Sequence, residues 1–574
     1  MFVRIRRHPR LAALAGYVVL AAAATWPLLA RFTTEMGGGD AGWQTLWGLW
    51  WWHRALAGGS SPFSCEALRW STGVPMWFQA WDVPSALALL PLWPLTPHLP
   101  EVAIYNTALF LGFPLAGFTF YLLCRELWGG ELGPFLAGAI YTFSAYHFAH
   151  ALGHLHLASM EWSPLYFLGL ARTVRRHGAL APLLAGVALA LSAAASFYHL
   201  AFCALGTIAL VPAWLPEDRA TILTRSFLRR ALLLGGTFLL LAGWLLVGAA
   251  RALRSGPYAR VGDAVRGSAD LLSFFVPGAV SAWRVSPGFG GGEADAAYVG
   301  YVALALAGWA LFRARAVRPW LLVAAVGSVL ALGPFLQVAG RVHDFAPLPY
   351  GWLERAVPAL RLADAPARFS WLVTFGVAVA AGAALSALVR AGRRGPLLAS
   401  LVAALALVET WPHAFATSSF PAPRFLRDLA RDDEGWAVLD ASGPSRRLWH
   451  QVLHGHPQVG GSAPPAPERL ERLLREEPAL RRFYGDGAAV LPREEEVRAL
   501  QRMDVRFVIA DEQRLREASA LRLPLAFQGD GIAVFEVPPR LAGSPGSFTG
   551  DAAEAVEAGG VVHSSSLSAP PAPR

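Results

Sequence analysis

Apolar residues run along this chain in long blocks separated by short polar clusters. Eleven blocks, approximately residues 10–30, 103–124, 133–149, 155–174, 179–196, 198–215, 230–250, 298–313, 319–337, 367–389 and 396–412, approach or reach the ~20 residues that cross a bilayer as a helix. The first follows Arg4, Arg6, Arg7 and Arg10. It is longer than a signal-peptide core and shows no persuasive cleavage site, which predicts a retained span with a cytoplasmic N-terminus. Threading the blocks alternately puts the clusters Arg172/Arg175/Arg176, Arg219/Arg225/Arg229/Arg230, Arg313/Arg315/Arg318 and Arg390/Arg393/Arg394 on the cytoplasmic side, as positive charge near span ends requires. Residues 31–102, 251–297, 338–366 and everything after about 413 then fall outside the cytoplasm.

Other periodicities fill those outer segments. In "GWQTLWGLWWWHRAL", Trp43, Trp47, Trp50 and Trp51 recur at helical spacing. Together with the short, proline-broken "VPSALALLPLWPL" they predict helices lying in the membrane interface, a depth that suits tryptophan. Beyond about Ala422, "EGWAVLDAS", "DVRFVIAD" and "LPLAFQGDGIAVFEV" read as strands, the last a hairpin around Gly-Asp-Gly. "PERLERLLREEPALRRF" and "REEEVRALQRM" between them read as charged amphipathic helices. The predicted architecture is mainly α: a polytopic membrane domain over 1–412, a small extracytoplasmic α/β domain over 413–541, and a Ser/Pro/Gly-rich disordered tail over 542–574.

Composition supports the membrane assignment and narrows the chemistry. The 574 residues have a mean hydropathy of +0.40, are 55% hydrophobic and only 16% charged. The net charge of +9 comes from arginine alone, without one lysine, and no basic stripe interleaved with surface aromatics points to nucleic acid. The three cysteines, Cys65, Cys124 and Cys203, are spaced for neither a disulfide framework nor a zinc site. No Walker loop or GxSxG elbow is present. The spans hold no relay of acids and bases such as an ion-driven transporter needs.

Three features carry candidate chemistry. Asp40 follows three glycines at the start of the tryptophan run. It reads either as the cap of that helix or as a general base on a loop where glycine lets the backbone approach a ligand. Next, "YHFAHALGHLH" sets His147, His150 and His154 at i, i+3, i+7, one helical face, with His156 beyond the turn and Glu161 soon after. Neutral imidazoles ligate divalent metals; interfacial histidines also simply snorkel. Third, "LPYGWLERAVPALRLADAPARFSWLV" brings Arg355, Arg361 and Arg368 to an outer loop, against the positive-inside trend. Guanidinium there binds a lipid-linked phosphate or a lipid headgroup.

The order of "GGGDAGWQTLWGLWW", "YNTALFLGFPLAGFTFYLLCREL", "AGAIYTFSAYHFAHALGHLHLASMEWSPLYFL", "YVGYVALALAG", "LRLADAPARFSWLV" and "LWHQVLHGHPQVGG" resembles the GT-C superfamily of membrane glycosyltransferases. The likeness is to bacterial members with a small external C-terminal domain, and it covers about residues 10–540. It implies an inner-membrane enzyme that moves a sugar, with inversion, from a polyprenyl-phosphate carrier to an envelope glycan, lipid or protein. It also implies site residues: Asp40 as base or metal-linked acid and Asp82 of "AWDVP" as a second acid. Arg361 and Arg368 would hold the carrier phosphate, with Glu161 among the substrate contacts, and His147, His150 and His154 would ligate a divalent metal. Well-known members place paired acids where this chain has histidines. The alternative is a non-catalytic protein that binds or translocates lipid-linked glycans.

Overall fold

The computed structural model describes residues 8–68, 73–79, 81–96, 99–176, 178–255, 264–278, 281, 283, 292–357, 360, 365–432, 434–460, 474–484 and 491–539. Arg361 and the tail from 542 lie outside the described residues.

Each apolar block holds a helix: Pro9–Ala24, Glu101–Trp128, Leu132–Thr142, Trp162–Arg175, Leu180–Ala195, Phe197–Ile222, Arg225–Ser255, Tyr301–Arg313, Arg318–Ala331, Ser370–Arg390 and Gly395–Thr410. Among the described residues four are long and apolar enough to cross a membrane: Glu101–Trp128, Phe197–Ile222, Arg225–Arg254, and Pro366–Arg390 with its leading turn. Several others are shorter than their blocks, because apolar residues run on into turns. The block 319–337 is the clearest case: its helix stops at Ala331 and Phe335–Val338 becomes a strand paired with Arg341–Pro347.

Helix Ser370–Arg390, rich in small residues, is buried along most of its length and packs on Arg318–Ala331, Leu132–Thr142, Tyr301–Arg313 and Gly395–Thr410. Its alanines and glycines allow that crowding. At the other extreme, Arg225–Ser255 leaves Leu228, Leu232, Leu239 and Leu240 exposed, the surface a lipid tail would cover. Glu409 closes one end of the bundle. It accepts Tyr298 Oη at 2.5 Å and the Tyr301 and Val302 amides at 2.5 and 3.0 Å, satisfying the first turn of a neighbouring helix.

The C-terminal strands Ala437–Asp440, Val505–Asp511, Leu525–Gly529 and Ile532–Glu536 form one sheet. The first pairs parallel with the second; the others are antiparallel. The hairpin turns at Asp530-Gly531, both at positive φ, as a two-residue type I′ turn requires. Helix Pro444–His454 lies across this unit and packs on the tryptophan helix Ala41–Ala57.

That contact overturns the interfacial placement of the tryptophans. Trp43, Trp47, Trp50, Trp51 and Trp52 are all buried in protein. Trp43 lies between Phe420 and Trp449, with centroids at 4.7 and 5.1 Å, and donates to Ser418 Oγ at 3.2 Å. Trp47 Nε1 donates to Gln451 Oε1 at 2.8 Å, and Gln451 Nε2 to the Ala67 carbonyl at 2.6 Å. Strand pairing of Met36–Gly37 with Thr417–Ser418 completes the seam. The C-terminal unit therefore covers Trp43 and Trp47, while Trp51 and Trp52 pack on Pro62, Phe63 and Trp81 of their own loop.

Asn106, on helix Glu101–Trp128, fixes the loop before the tryptophan helix. Its Oδ1 accepts the Gly37 amide at 2.8 Å, and its Nδ2 donates to the Phe32 and Glu35 carbonyls, both at 2.8 Å. Asn106 is fully buried, so Asn106→Leu strands three backbone groups. A loss of about 2–4 kcal/mol is expected, read as a lower melting temperature of the detergent-solubilised protein.

Candidate functional site

The three glycines before Asp40 have a physical task. Gly38 sits at φ +99°, and a Cβ there would stand 2.6 Å from the Leu152 carbonyl oxygen. Its amide donates to the Ala416 carbonyl at 2.8 Å, and the Gly39 amide to Leu152 O at 2.7 Å. Thr45 Oγ1 adds a bond to the Gly153 carbonyl at 3.2 Å. Side-chain-free backbone thus lets the Asp40 loop lie directly on the turn that carries the histidines. Asp40 opens the tryptophan helix, but its own backbone is helical and its side chain makes no capping bond. The cap reading is thereby corrected. The carboxylate is exposed at the rim of the histidine turn, while its main-chain carbonyl accepts Ser445 Oγ at 3.1 Å from the C-terminal helix.

Asp82 does what Asp40 does not. It caps helix Val83–Ala88, accepting the Ser85 amide at 3.3 Å and Ser85 Oγ at 2.6 Å. Ser159 Oγ donates to the same carboxylate across to the second loop. Burial pushes the Asp82 carboxyl up, against the lowering by the two serines. Glu161 lies within Coulombic range of it and is buried too. Its Oε2 has no hydrogen-bond partner among the described residues. Two of the candidate acids are therefore neighbours inside the protein, an arrangement in which both resist ionising together.

The histidine run is not one helix. Helix Leu132–Thr142 ends at Phe143, Ser144 Oγ accepts the His147 amide to start Ala145–Ala151, and a second turn starts at Leu155. Gly153 and His154 donate back to the His150 carbonyl at 3.2 and 2.7 Å. The break takes His154 off the helix that His147 and His150 share. His147 points into the core, stacked on Phe113 at 4.1 Å with Nδ1 2.8 Å from the Thr142 carbonyl. His150, His154 and His156 instead follow one another, with centroids 5.8 and 5.9 Å apart. His154, Arg368, His150 and His199 all act electrostatically on His156. Among the described residues no three His, Cys, Asp or Glu side chains are grouped to hold a metal ion.

Arg368 reaches this cluster from the turn Pro366–Phe369 that leads into helix Ser370–Arg390. It is half-buried, with Nη1 3.1 Å from Tyr198 Oη and its guanidinium 5.0 Å from the Tyr198 ring centroid. His199, next along, meets Ser163 Oγ and the Leu157 carbonyl, each at 3.3 Å. Tyr198 and His199 were not among the candidates, although "SFYHL" puts polar rings on the first turn of an apolar helix, a signal the sequence does carry. Ser159 and Ser445 left no such signal.

Loops distant in sequence are thus joined here: the Asp40 loop bonds to the turn at Leu152 and Gly153, Ser159 bonds to Asp82, and Arg368 lies within electrostatic range of His156. The same chain path occurs in solved membrane glycosyltransferases. Arabinofuranosyltransferase AftD from Mycobacteria aligns over 91% of this chain at a TM-score of 0.58 and 16% identity. The oligosaccharyltransferase AglB from Archaeoglobus fulgidus aligns over 90% at 0.52 and 12%. The chain has a GT-C-like polytopic fold. It spans 40% of the length of AftD and 71% of that of AglB. At these identities the GT-C-like fold is what is shared. The sequence matches no protein-family model and no curated protein.

Proposed function

We propose that this protein transfers a sugar from a polyprenyl-phosphate carrier to an envelope acceptor at the extracytoplasmic face of a bacterial inner membrane. The observation that carries the reading is that, in a GT-C-like fold, Gly38 lets the loop of an exposed acid, Asp40, lie on the histidine turn, with Arg368 within electrostatic range of His156. AglB has been solved with a dolichol-phosphate, and an oligosaccharyltransferase from Archaeoglobus fulgidus with Zn and sulfate. Those ligands belong to those proteins and support, by analogy of fold, an anionic lipid carrier here.

A sugar on a phosphate already has a good leaving group, so the chain must supply a base and a cation. Asp40 takes the proton of the acceptor hydroxyl as its oxygen bonds to the anomeric carbon. The bond from that carbon to the phosphate oxygen breaks, and its electron pair leaves with the carrier phosphate beside Arg368. A single displacement inverts the anomeric centre. The divalent metal expected from the histidines finds no three-ligand set among the described residues. Asp82 is held by three hydrogen bonds as a cap, so it shapes the loop rather than meeting substrate.

Reconstituted protein offered a panel of radiolabelled polyprenyl-phosphate hexoses and pentoses, with envelope extract as acceptor, is expected to transfer one of them with inversion. Carrier binding without transfer from any donor would leave the non-catalytic reading in its place.

A further inference from the structure

We propose that Tyr198 is the positioning residue that sets the guanidinium plane of Arg368 for a lipid-linked phosphate, an inference that rests on the carrier-site reading above. Forked recognition of phosphate depends on the orientation of the guanidinium as much as on its charge. Arginine has a long stem with several rotors, and holding it in one geometry costs side-chain entropy. Tyr198 limits that freedom in two ways at once. Its hydroxyl accepts Arg368 Nη1 at 3.1 Å, and the guanidinium carbon lies over its ring, 5.0 Å from the centroid. Neither contact alone fixes a plane; a hydrogen bond and a ring face together do.

Both partners stand on rigid backbone. Tyr198 is in the first turn of the 26-residue helix Phe197–Ile222, where its amide donates to Ser196 Oγ at 3.2 Å. Its ring packs between Phe202 and Phe369, with centroids at 6.1 and 6.4 Å. Arg368 lies between the buried Ala367 and Phe369. The Ala367 amide donates to the Gly267 carbonyl at 3.0 Å, tying the turn to a third segment of chain. The pair is thus built from two elements that meet only in the folded protein, and its arginine lies within electrostatic range of His156.

The test titrates undecaprenyl phosphate, and in parallel the uncharged undecaprenol, into full-length protein in nanodiscs. Arg368→Gln is expected to weaken undecaprenyl phosphate by about 10²-fold, Tyr198→Phe by about 3–10-fold and Tyr198→Leu by more. Undecaprenol affinity should stay at the wild-type value throughout. That selectivity separates orientation of a phosphate ligand from a general packing role, and Tyr198→Phe keeps the ring if the leucine variant fails to fold. Wild-type phosphate affinity in Tyr198→Phe, with Arg368→Gln weakened, would overturn the proposal and leave the carrier site standing. Equal loss for both lipids would overturn it as well. An unchanged Arg368→Gln would remove the carrier-site reading itself.

Discussion

Asp40→Asn is expected to lower sugar transfer by about 10²–10⁴-fold, the range a positioned general base contributes, while the melting temperature and undecaprenyl phosphate affinity stay at wild-type values. The structural basis is that, among the described residues, this side chain makes no capping bond. Asp40 is exposed, and its tie to the C-terminal helix runs through the main-chain carbonyl. The amide isostere keeps that tie and removes only the proton acceptor. Asp82→Asn provides the contrast, since its carboxylate receives Ser85 N, Ser85 Oγ and Ser159 Oγ and its loss should show first as reduced stability. Transfer and thermal melting measured on both variants decide which acid does chemistry. Full transfer by Asp40→Asn would sink the proposed mechanism.

Gly38→Ala has the second large expected effect, and it acts through geometry. The native φ of +99° disfavours any side chain, and the new Cβ would meet the Leu152 carbonyl at 2.6 Å. The backbone conformation alone costs on the order of 1–3 kcal/mol. Relief of the clash must lift the Asp40 loop off the histidine turn, and misplacement by about 1 Å costs as much as 10²-fold in rate. Gly39→Ala is the internal control, because its Cβ would stand at an ordinary 3.7 Å from the same oxygen. Hydrogen exchange over residues 36–45 should rise in Gly38→Ala and stay unchanged in Gly39→Ala, with transfer following the same order.

Part of the candidate site was legible in the chain and part was not. Glycines before an acid at the start of a helical pattern marked Asp40 as worth notice, and arginine on an outer loop marked Arg368. The spacing of His147, His150 and His154 misled, because i, i+3, i+7 shares a face only if the helix continues. Here the Leu152 carbonyl bonds the Gly39 amide and the Gly153 turn ends the helix, so His154 leaves the face of His147 and His150, and His156 comes within reach of it. The pairing of Glu161 with Asp82 was also out of reach. Each is a single acid beside a helix start, and only the fold brings the two loops together.

For the fold, the amino-acid sequence by itself determined where most helices and the C-terminal strands form, the strand Phe335–Val338 inside an apolar block being an exception. Apolar blocks of helical length and alternating segments around Asp530-Gly531 are local signals that read the same in any surroundings. The tertiary structure decided what covers each apolar face. Tryptophan is at home both in a membrane interface and in a packed core. The row from Trp43 to Trp52 therefore could not say whether lipid or protein would meet it. Helix Pro444–His454, some four hundred residues away, supplies the answer by packing on it. Composition specifies that a surface must leave water, and only the assembled chain specifies against what.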